Sequence, residues 1–228
     1  MSANDPTIPS GYNYGSAAIG AEIRFFSSQV NVTSDFNGNV YSSQVDVDSI
    51  DPGVDAYITI LASPETGTSV FAGAWAAPTA SIDVDTQNFR SAADFIRTQF
   101  QFNPNIVSGF LGLEQVLWAL DSTRVAGRAY AGGRLSTWDF TATGAGAGAI
   151  NFSDSGTAVV PAGGFDLSIE YDKPHDSPLY GFTVGAYAGL QVQGGYDINN
   201  TYNTIVDHRI DVETGVTAYG GLRIRRTF

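Results

Sequence analysis

The sequence predicts an all-β protein, an antiparallel up-and-down transmembrane β-barrel of about ten strands, within a range of eight to twelve. Three observations carry this prediction. The first is composition, because 26 glycines and 12% aromatic residues stand beside only 15% charged residues, a balance that favours strands and tight turns. The second is an alternation of apolar and polar residues over unusually long stretches. The third is a series of turn signals whose intervals all have strand length.

Turn signals divide the chain into the predicted strands. Asn37-Gly38 fits a two-residue hairpin turn, and further turns are predicted at Asp51-Pro-Gly, Pro64-Glu-Thr-Gly, Asn103-Pro-Asn, Asp121-Ser-Thr and 173–178. The strands are predicted near 15 to 33, 39 to 49, 54 to 63, 68 to 82, 88 to 102, 106 to 120, 123 to 140, 148 to 171, 178 to 196 and 207 to 228. Because the composition shows no linker, we expect one domain over residues 1–228, with an N-terminal extension at 1–14.

Residues 88 to 121 allow two interpretations. Phe89, Ile96 and Phe100 fit helical spacing as well as strand spacing, so the pattern does not decide between them. Gly109 and Gly112 would each weaken a helix by roughly 1 kcal/mol relative to alanine, which favours strands. If both halves of this stretch were helices, the barrel would have eight strands, or the fold would be a soluble α+β one.

The clearest alternation lies in the last fifty residues, which are predicted to form a long hairpin. One face is apolar and is expected to contact lipid: Val184, Ala186, Ala188, Leu190, Val216, Ala218, Leu222 and Ile224. The opposite face is expected to point inward and carries Tyr187, Gln191, Tyr219 and Arg223. These strands are about twice as long as the ~5 to 6 residues of an ordinary strand. Since lipid offers the backbone no hydrogen bonds, a closed barrel is the β-structure that spans it.

The C-terminal segment Gly220-Gly-Leu-Arg-Ile-Arg-Arg-Thr-Phe228 resembles the closing strand of bacterial outer-membrane β-barrel proteins. Those proteins end on phenylalanine, with apolar residues at alternate positions before it. The resemblance implies location in the outer membrane of a Gram-negative bacterium, with outer-membrane lipid and the barrel-assembly machinery as partners and Phe228 as the assembly signal. Arg226 departs from the family, which usually has an aromatic or aliphatic residue there. The opening Met-Ser-Ala-Asn-Asp-Pro has no recognisable secretory signal.

Residue parity assigns a group of charged side chains to the face opposite the apolar one, which in a barrel is the lumen. The candidates are Glu22, Arg24, Arg124, Arg128, Arg134, Glu170, Glu213, Arg223 and Arg225. Six arginines among three glutamates could line a narrow passive pore that attracts small anionic solutes. Alternatively, the arginines pair with the glutamates and fill the barrel. We favour the second hypothesis, because small barrels fill their interiors with side chains.

Other functions find little support in the sequence. A net charge of -12 would repel a phosphate backbone, which argues against nucleic acid as a partner. No enzyme activity is predicted, because His175 and His208 are the only candidate bases near neutral pH and both fall in turns or at strand ends. The glycine and glutamate pattern of an EF-hand is missing from the acidic turns, such as the one with Asp46, Asp48, Asp51 and Asp55. Neither a metal nor a cofactor is therefore predicted.

The competing hypothesis is a soluble β-rich surface, fibre or virion protein that self-assembles and packs the same long strands against its subunit neighbours. Membrane proteins need detergent to stay in solution, so solubility distinguishes the two hypotheses. The sequence leaves the oligomeric state open.

Overall fold

The computed structural model describes residues 17–36, 39–63, 65–77, 82–91, 94–145, 151–173, 177–203 and 206–226. These residues form eleven β-strands, and no helix in the described ranges is long and apolar enough to cross a membrane. The strands are β1 (Ala17–Phe36), β2 (Asn39–Ser63), β3 (Thr68–Ala76), β4 (Ile82–Ser91), β5 (Asp94–Leu120), β6 (Thr123–Ala145), β7 (Asn151–Asp172), β8 (Phe182–Gln193), β9 (Tyr196–Asn203), β10 (Val206–Val212) and β11 (Gly215–Arg226).

Eight of these strands close into a ring, in which each strand is antiparallel to both neighbours. Their order is β1, β2, β3, β5, β6, β7, β8 and β11, and β11 returns to β1. The closing pairing runs from Ala17 opposite Arg226 to Ser27 opposite Val216. The predicted all-β, antiparallel, up-and-down barrel is therefore confirmed. We call this part of the molecule the barrel ring.

The pairings determine how far the strands tilt. From Ser27, partner residues lead once round the ring through Val216, Val192, Gly163, Ala131, Leu111, Ala72 and Ile58 to Ala17. The stagger of the closed barrel, its shear number, is therefore ten, because the path returns to β1 ten residues away from its start, at Ala17 instead of Ser27. With eight strands, this stagger tilts each strand by roughly 40° from the barrel axis. A barrel of this size has an interior that side chains can fill.

The ring has eight strands, at the lower end of the predicted range, because two predicted turns lie inside strands. Asp51-Pro52-Gly53 continues β2 opposite β1, outside the stretch Val54–Ser63 that pairs with β3. A proline is tolerated there because the strand has a neighbour on one side only. Pro104 lies where the pairing of β5 with β6 skips from Asn103 to Val107, in an irregularity that accommodates it.

The interpretation of residues 88 to 121 as strands is confirmed, but their boundaries were predicted wrongly. Ser91 of β4 pairs with Asp94 of β5, so the chain reverses within the predicted strand 88 to 102. At the end of the ring near Ala17, Gly67 and Asp121 adopt positive φ angles of 66° and 51° within predicted turns. The predicted turn residues Asn37 and Gly38 lie outside the described residues.

At the end opposite these short turns, the strands continue into an extension made of two sheets. One sheet has the order β2, β1, β10, β9, and the other contains β4, β5, β6 and the first half of β7. An apolar cluster fills the space between them and consists of Phe26, Val30, Val32, Val47, Ile82, Val84, Phe100, Phe102, Phe140, Ala142, Ile198, Ile210 and Val212. We call this part of the molecule the extension.

Candidate functional site

The interior of the barrel ring is lined by ionisable side chains of both signs. Twelve of them are buried, of which six are arginines and six are acids. The arginines are Arg24, Arg124, Arg128, Arg134, Arg223 and Arg225, and the acids are Glu22, Asp51, Asp55, Glu114, Asp166 and Glu170. Their formal charges cancel within the described ring.

Two of the ion pairs join neighbouring strands. Arg128 lies directly opposite Asp166 in the pairing of β6 with β7, and Arg124 lies opposite Glu170. Arg128 donates from Nε and Nη2 to the two carboxylate oxygens of Asp166, at 2.9 and 2.6 Å. Arg124 Nε donates to Glu170 Oε2 at 2.8 Å. The bidentate pair of Arg128 with Asp166 is strong and directional, and together the two ion pairs hold β6 and β7 in register.

Other pairs cross the interior of the ring. Arg225 of β11 donates from Nη2 to Glu114 Oε2 of β5 at 2.7 Å, and also lies 3.7 Å from Glu170. Arg223 Nη2 donates to Asp55 Oδ2 of β2 at 3.1 Å. The strands of these partners are not adjacent in the ring, so the pairs bridge the lumen. Arg24 contacts Glu22 on its own strand.

Tyrosines complete this charged network. Tyr187 donates its hydroxyl to Glu22 Oε2 at 3.0 Å or to Asp55 Oδ1 at 3.2 Å, because a single proton serves both contacts. The guanidinium carbon of Arg223 lies 3.9 Å from the centroid of the Tyr187 ring, within the range of a cation-π contact. Buried carboxylates are thus held by phenol and guanidinium groups together.

Little space remains between these side chains. A cavity of about 10 Å³ lies beside Asp166 and Tyr219, which is roughly the volume that one water molecule needs. Trp75 and Phe110 also border it and stack with their ring centroids 4.7 Å apart. At this level the interior is filled by side chains.

Arg134 differs from the other interior arginines. Its side chain is fully buried, and none of its three side-chain nitrogens has a hydrogen-bond partner among the described residues. Ser108 lies opposite Arg134 on β5, and its buried hydroxyl also has no hydrogen-bond partner among the described residues. Along β6, Arg134 stands between Tyr130 of the ring and Phe140 of the extension. It therefore lies at the boundary between a charged and an apolar interior.

Eight of the nine residues assigned to the lumen are buried inside the ring, and Glu213 is the exception because it is exposed. Val212 lies opposite Val30, whereas Val216 lies opposite Ser27. Three residues therefore face two on β1, which is a β-bulge, and the extra residue reverses the parity. Val212 is buried and Glu213 points outward, so the assignment of Glu213 to the lumen is wrong.

Four acids of the interior were not predicted from the sequence: Asp51, Asp55, Glu114 and Asp166. Asp51 and Asp55 were assigned to an acidic turn, although they lie within β2. Asp166 stands four residues before Glu170, on the same face of β7, so parity alone could have found it. These acids explain why the interior balances six arginines.

Large apolar side chains cover the outer surface of the ring. Ile23, Leu111, Ile169 and Leu222 are each more than half exposed, with 62%, 61%, 55% and 69% of their surface accessible. The final hairpin has the orientation predicted for it. Its outward residues are exposed or half-buried, whereas Tyr187, Gln191 and Arg223 are buried and Tyr219 is half-buried among interior groups.

The outer surface of the extension is polar and acidic instead. Only two bases, Arg97 and Arg209, have described side chains there. Eleven acids have described side chains in the same region: Asp35, Asp46, Asp48, Asp83, Asp85, Asp139, Asp154, Asp197, Asp207, Asp211 and Glu213. The hydrogen bonds that Arg97 donates to Asp85 lower the pKa of that carboxyl group. Much of the net negative charge of the chain is thus carried by the extension.

The histidines supply no accessible catalytic base among the described residues. His208 Nδ1 lies 2.8 Å from the Ser34 hydroxyl, but both side chains are buried beneath the sheets of the extension. Burial lowers the pKa of His208, although the nearby Asp207 opposes this shift. His175 lies outside the described residues, as do Phe228 and residues 1–14. Within the described ranges, no three His, Asp or Glu side chains are grouped as a metal site would require.

Comparisons with known proteins find similarity at the level of structure. No protein-family model matches the sequence, and no curated protein matches it either. The outer membrane protein OprG of Pseudomonas aeruginosa is 11% identical, with 96% of this chain and 99% of that chain covered and a TM-score of 0.47. The outer membrane protease OmpT of Escherichia coli is 13% identical, with 93% and 97% covered and a TM-score of 0.42. The similarity to these two proteins is a similarity of fold.

Proposed function

We propose that this chain is a bacterial outer-membrane β-barrel protein whose ring is a filled membrane anchor and whose extension is displayed outside the membrane. The observation that carries the proposal is a reversal of polarity along the strands. The ring is apolar outside and charged inside, whereas the extension is apolar inside and charged outside. A single solvent would not favour both arrangements, but lipid around the ring and water around the extension would.

The apolar surface of the ring has dimensions that suit a bilayer. On β7 the exposed apolar residues run from Val159, opposite Leu135 at the boundary with the extension, to Ile169. At ~3.3 Å per residue and a tilt of roughly 40°, these ten residue steps span about 25 Å along the barrel axis, which matches the apolar band of outer-membrane barrels. Tyr171 and Tyr180 follow at one edge, where aromatic side chains accumulate at membrane interfaces.

The filled interior supports an anchor rather than a passive pore. Arginines and acids are equal in number inside the ring, and the paired guanidinium groups are bound to carboxylates. A pore selective for anions would need an excess of unpaired positive charge along an open path. We also propose that residues 1–228 form one domain, that the protein has no enzyme activity, and that Phe228 serves the barrel-assembly machinery as a recognition signal.

Two experiments test this function. The purified chain should require detergent and should migrate faster in SDS before boiling than after it, because a closed barrel resists unfolding by SDS. In planar bilayers it should produce no stable channel steps. A protein that stays monodisperse without detergent would contradict the membrane anchor. Steady anion-selective conductance would contradict the filled interior and restore the pore.

Deleting Phe228 tests the assembly signal separately. The deletion should reduce assembly in cells, while refolding in detergent should remain nearly unchanged because the proposed role is recognition. Phe228→Leu is a control that keeps an apolar end. Equal assembly of all three chains would contradict the proposed role of Phe228.

A further inference from the structure

The two sheets of the extension do not join between β7 and β9. Within the ring, β7 pairs with β8 from Asp172 up to Ala162, and the last link is the Gly194 N–H, which donates to the Pro161 carbonyl at 2.8 Å. Beyond this point β9 pairs with β10, and residues 151–160 of β7 pair with β6. No other strand among the described residues lies beside the remaining edge of either one. We call this opening the β7–β9 seam.

The edge of β7 offers backbone hydrogen-bonding groups to the seam. Ser155 shows the direction, because its N–H donates to Asp154 Oδ1 at 2.8 Å, away from Asp139, its partner residue on β6. Backbone groups alternate between the two sides of a strand, so the N–H groups of Ser153 and Thr157 point to the seam as well. Natural edge strands are commonly protected by lysine or proline. Residues 151–160 contain neither.

Apolar side chains lie along the inner side of the seam. Trp138, Phe152 and Tyr196 pack against the apolar cluster of the extension but are only partly buried. Tyr196 reaches across the base of the seam, where its hydroxyl lies 3.1 Å from the Ser136 hydroxyl. A strand added to β7 would place alternate side chains over these aromatic residues. The seam therefore combines a backbone edge with an incompletely covered apolar floor.

We propose that the β7–β9 seam binds an extended, cationic segment of a partner polypeptide, which adds a strand to β7. The inference rests on the proposed function, since the extension must be displayed outside the membrane. Asp154 and Asp197 belong to β7 and β9, the two strands that border the seam. Asp139 lies on β6 opposite Ser155, and the whole extension has eleven described acids against Arg97 and Arg209. This imbalance attracts a basic segment. A second copy of the chain would bring the same negative charge and be repelled.

Binding can be measured with a defined probe on the full chain in detergent micelles. The probe is a fluorescein-labelled ten-residue peptide of alternating lysine and valine, and binding is followed by fluorescence anisotropy. We expect saturable binding to the wild-type chain. The matched glutamate–valine peptide should not bind. A backbone N-methylated form of the lysine peptide keeps the charge but cannot form a strand ladder, so its binding should be at least tenfold weaker.

Substitutions at Ser155 test the edge directly. Ser155→Pro removes an N–H that points to the seam and leaves the hydrogen bonds between β6 and β7 in place, so it should weaken binding of the lysine peptide at least tenfold. Ser155→Thr retains the N–H and should bind as the wild type does. Unchanged SDS mobility before boiling would show that both variants form the barrel.

Hydrogen exchange locates the bound peptide. At saturation, the amides of Ser153, Ser155 and Thr157 should exchange at least tenfold more slowly. The exchange rates of the amides that pair β1 with β2 should not change. Equal binding of the N-methylated peptide, or no slowing at these amides, would overturn the proposal. If the chain is a dimer and these amides already exchange slowly without peptide, a second copy of the chain occupies the seam, and the proposal is also overturned. If the chain forms a detergent-dependent barrel but binds no peptide, the seam proposal is overturned and the proposed membrane anchor stands.

Discussion

The barrel ring and the extension are built from the same continuous strands but have opposite polarity. β6 passes through both regions, with Arg124 and Arg128 buried inside the ring and Phe140 and Ala142 buried inside the extension. Its outward residues change in the opposite sense, from Ala129 and Ala131 in the ring to Asp139 and Thr141 in the extension. Alternation with a period of two defines two faces in both regions, and the surroundings determine which face is apolar.

The difference shows which interactions stabilise each region. In the extension, apolar side chains leave water when the sheets meet, so the hydrophobic effect stabilises the interior. In the ring, the apolar face remains outside, and the interior depends on ion pairs and hydrogen bonds between strands. Buried ion pairs stabilise little relative to apolar packing, but breaking one of them is costly because a charge remains buried without its partner. The two regions should therefore respond differently to the same type of substitution.

The largest expected effect is the loss of an interior ion pair. Arg128→Met should lower the free energy of unfolding by ~3 to 5 kcal/mol, because Asp166 would stay buried without its bidentate partner. Urea-induced unfolding in lipid vesicles measures this change. Arg134→Met is the matched control, since it removes an equally buried guanidinium that has no hydrogen-bond partner among the described residues. Equal losses for the two variants would contradict an interior stabilised by pairing.

Truncation of an aromatic residue tests the interior of the extension. Phe140→Ala should cost ~3 to 5 kcal/mol in the stability of the extension, because it leaves a cavity in the apolar cluster. Hydrogen exchange of the β4, β5 and β6 amides beyond the ring reports the loss. Leu167→Ala, on the outer face of the ring, is the comparison and should cost less because lipid fills the vacated space. The opposite order of effects would contradict the assignment of the two regions.

Arginine substitutions on the two outer faces test which region contacts lipid and which contacts water. Leu222→Arg should cost ~2 to 4 kcal/mol, the range for a cation on the lipid face near the midplane of a barrel. Gln44→Arg, on the exposed face of the extension, should have little effect and should reduce the negative charge there. Folding yield into vesicles measures both variants. Equal tolerance at the two positions would mean that the ring does not face lipid.

The smallest expected effect concerns pH and is confined to the extension. Burial lowers the pKa of His208 in the folded state below its ordinary value of about 6.5. The unfolded state therefore binds a proton more readily, and stability is lost as the pH falls through about 6.5 toward the folded pKa. Hydrogen exchange around His208 and Ser34 should accelerate over this range. His208→Gln should remove the pH dependence without changing the ring, and a slope retained in that variant would assign it to another group.

Local pattern predicted much of this molecule. Alternation identified both faces of the final hairpin, and parity located Arg124, Arg128, Arg223 and Arg225 in the interior. It succeeded because side-chain direction in a strand depends only on whether the position is odd or even. Turn chemistry succeeded for the same reason at Gly67 and Asp121, where the backbone angle is a property of a few neighbouring residues.

The sequence by itself determined that the chain forms strands, which face of the final hairpin is apolar and where two of the short turns lie, because these depend on contacts between near neighbours. Only the tertiary structure decided that eight strands close the ring, that Pro52 and Pro104 lie within strands, and that a bulge turns Glu213 outward. It also decided which acid each arginine meets, as in the pairing of Arg225 with Glu114, 111 residues away along the chain. Register and stagger are set by pairing between distant segments, and no local period contains that information.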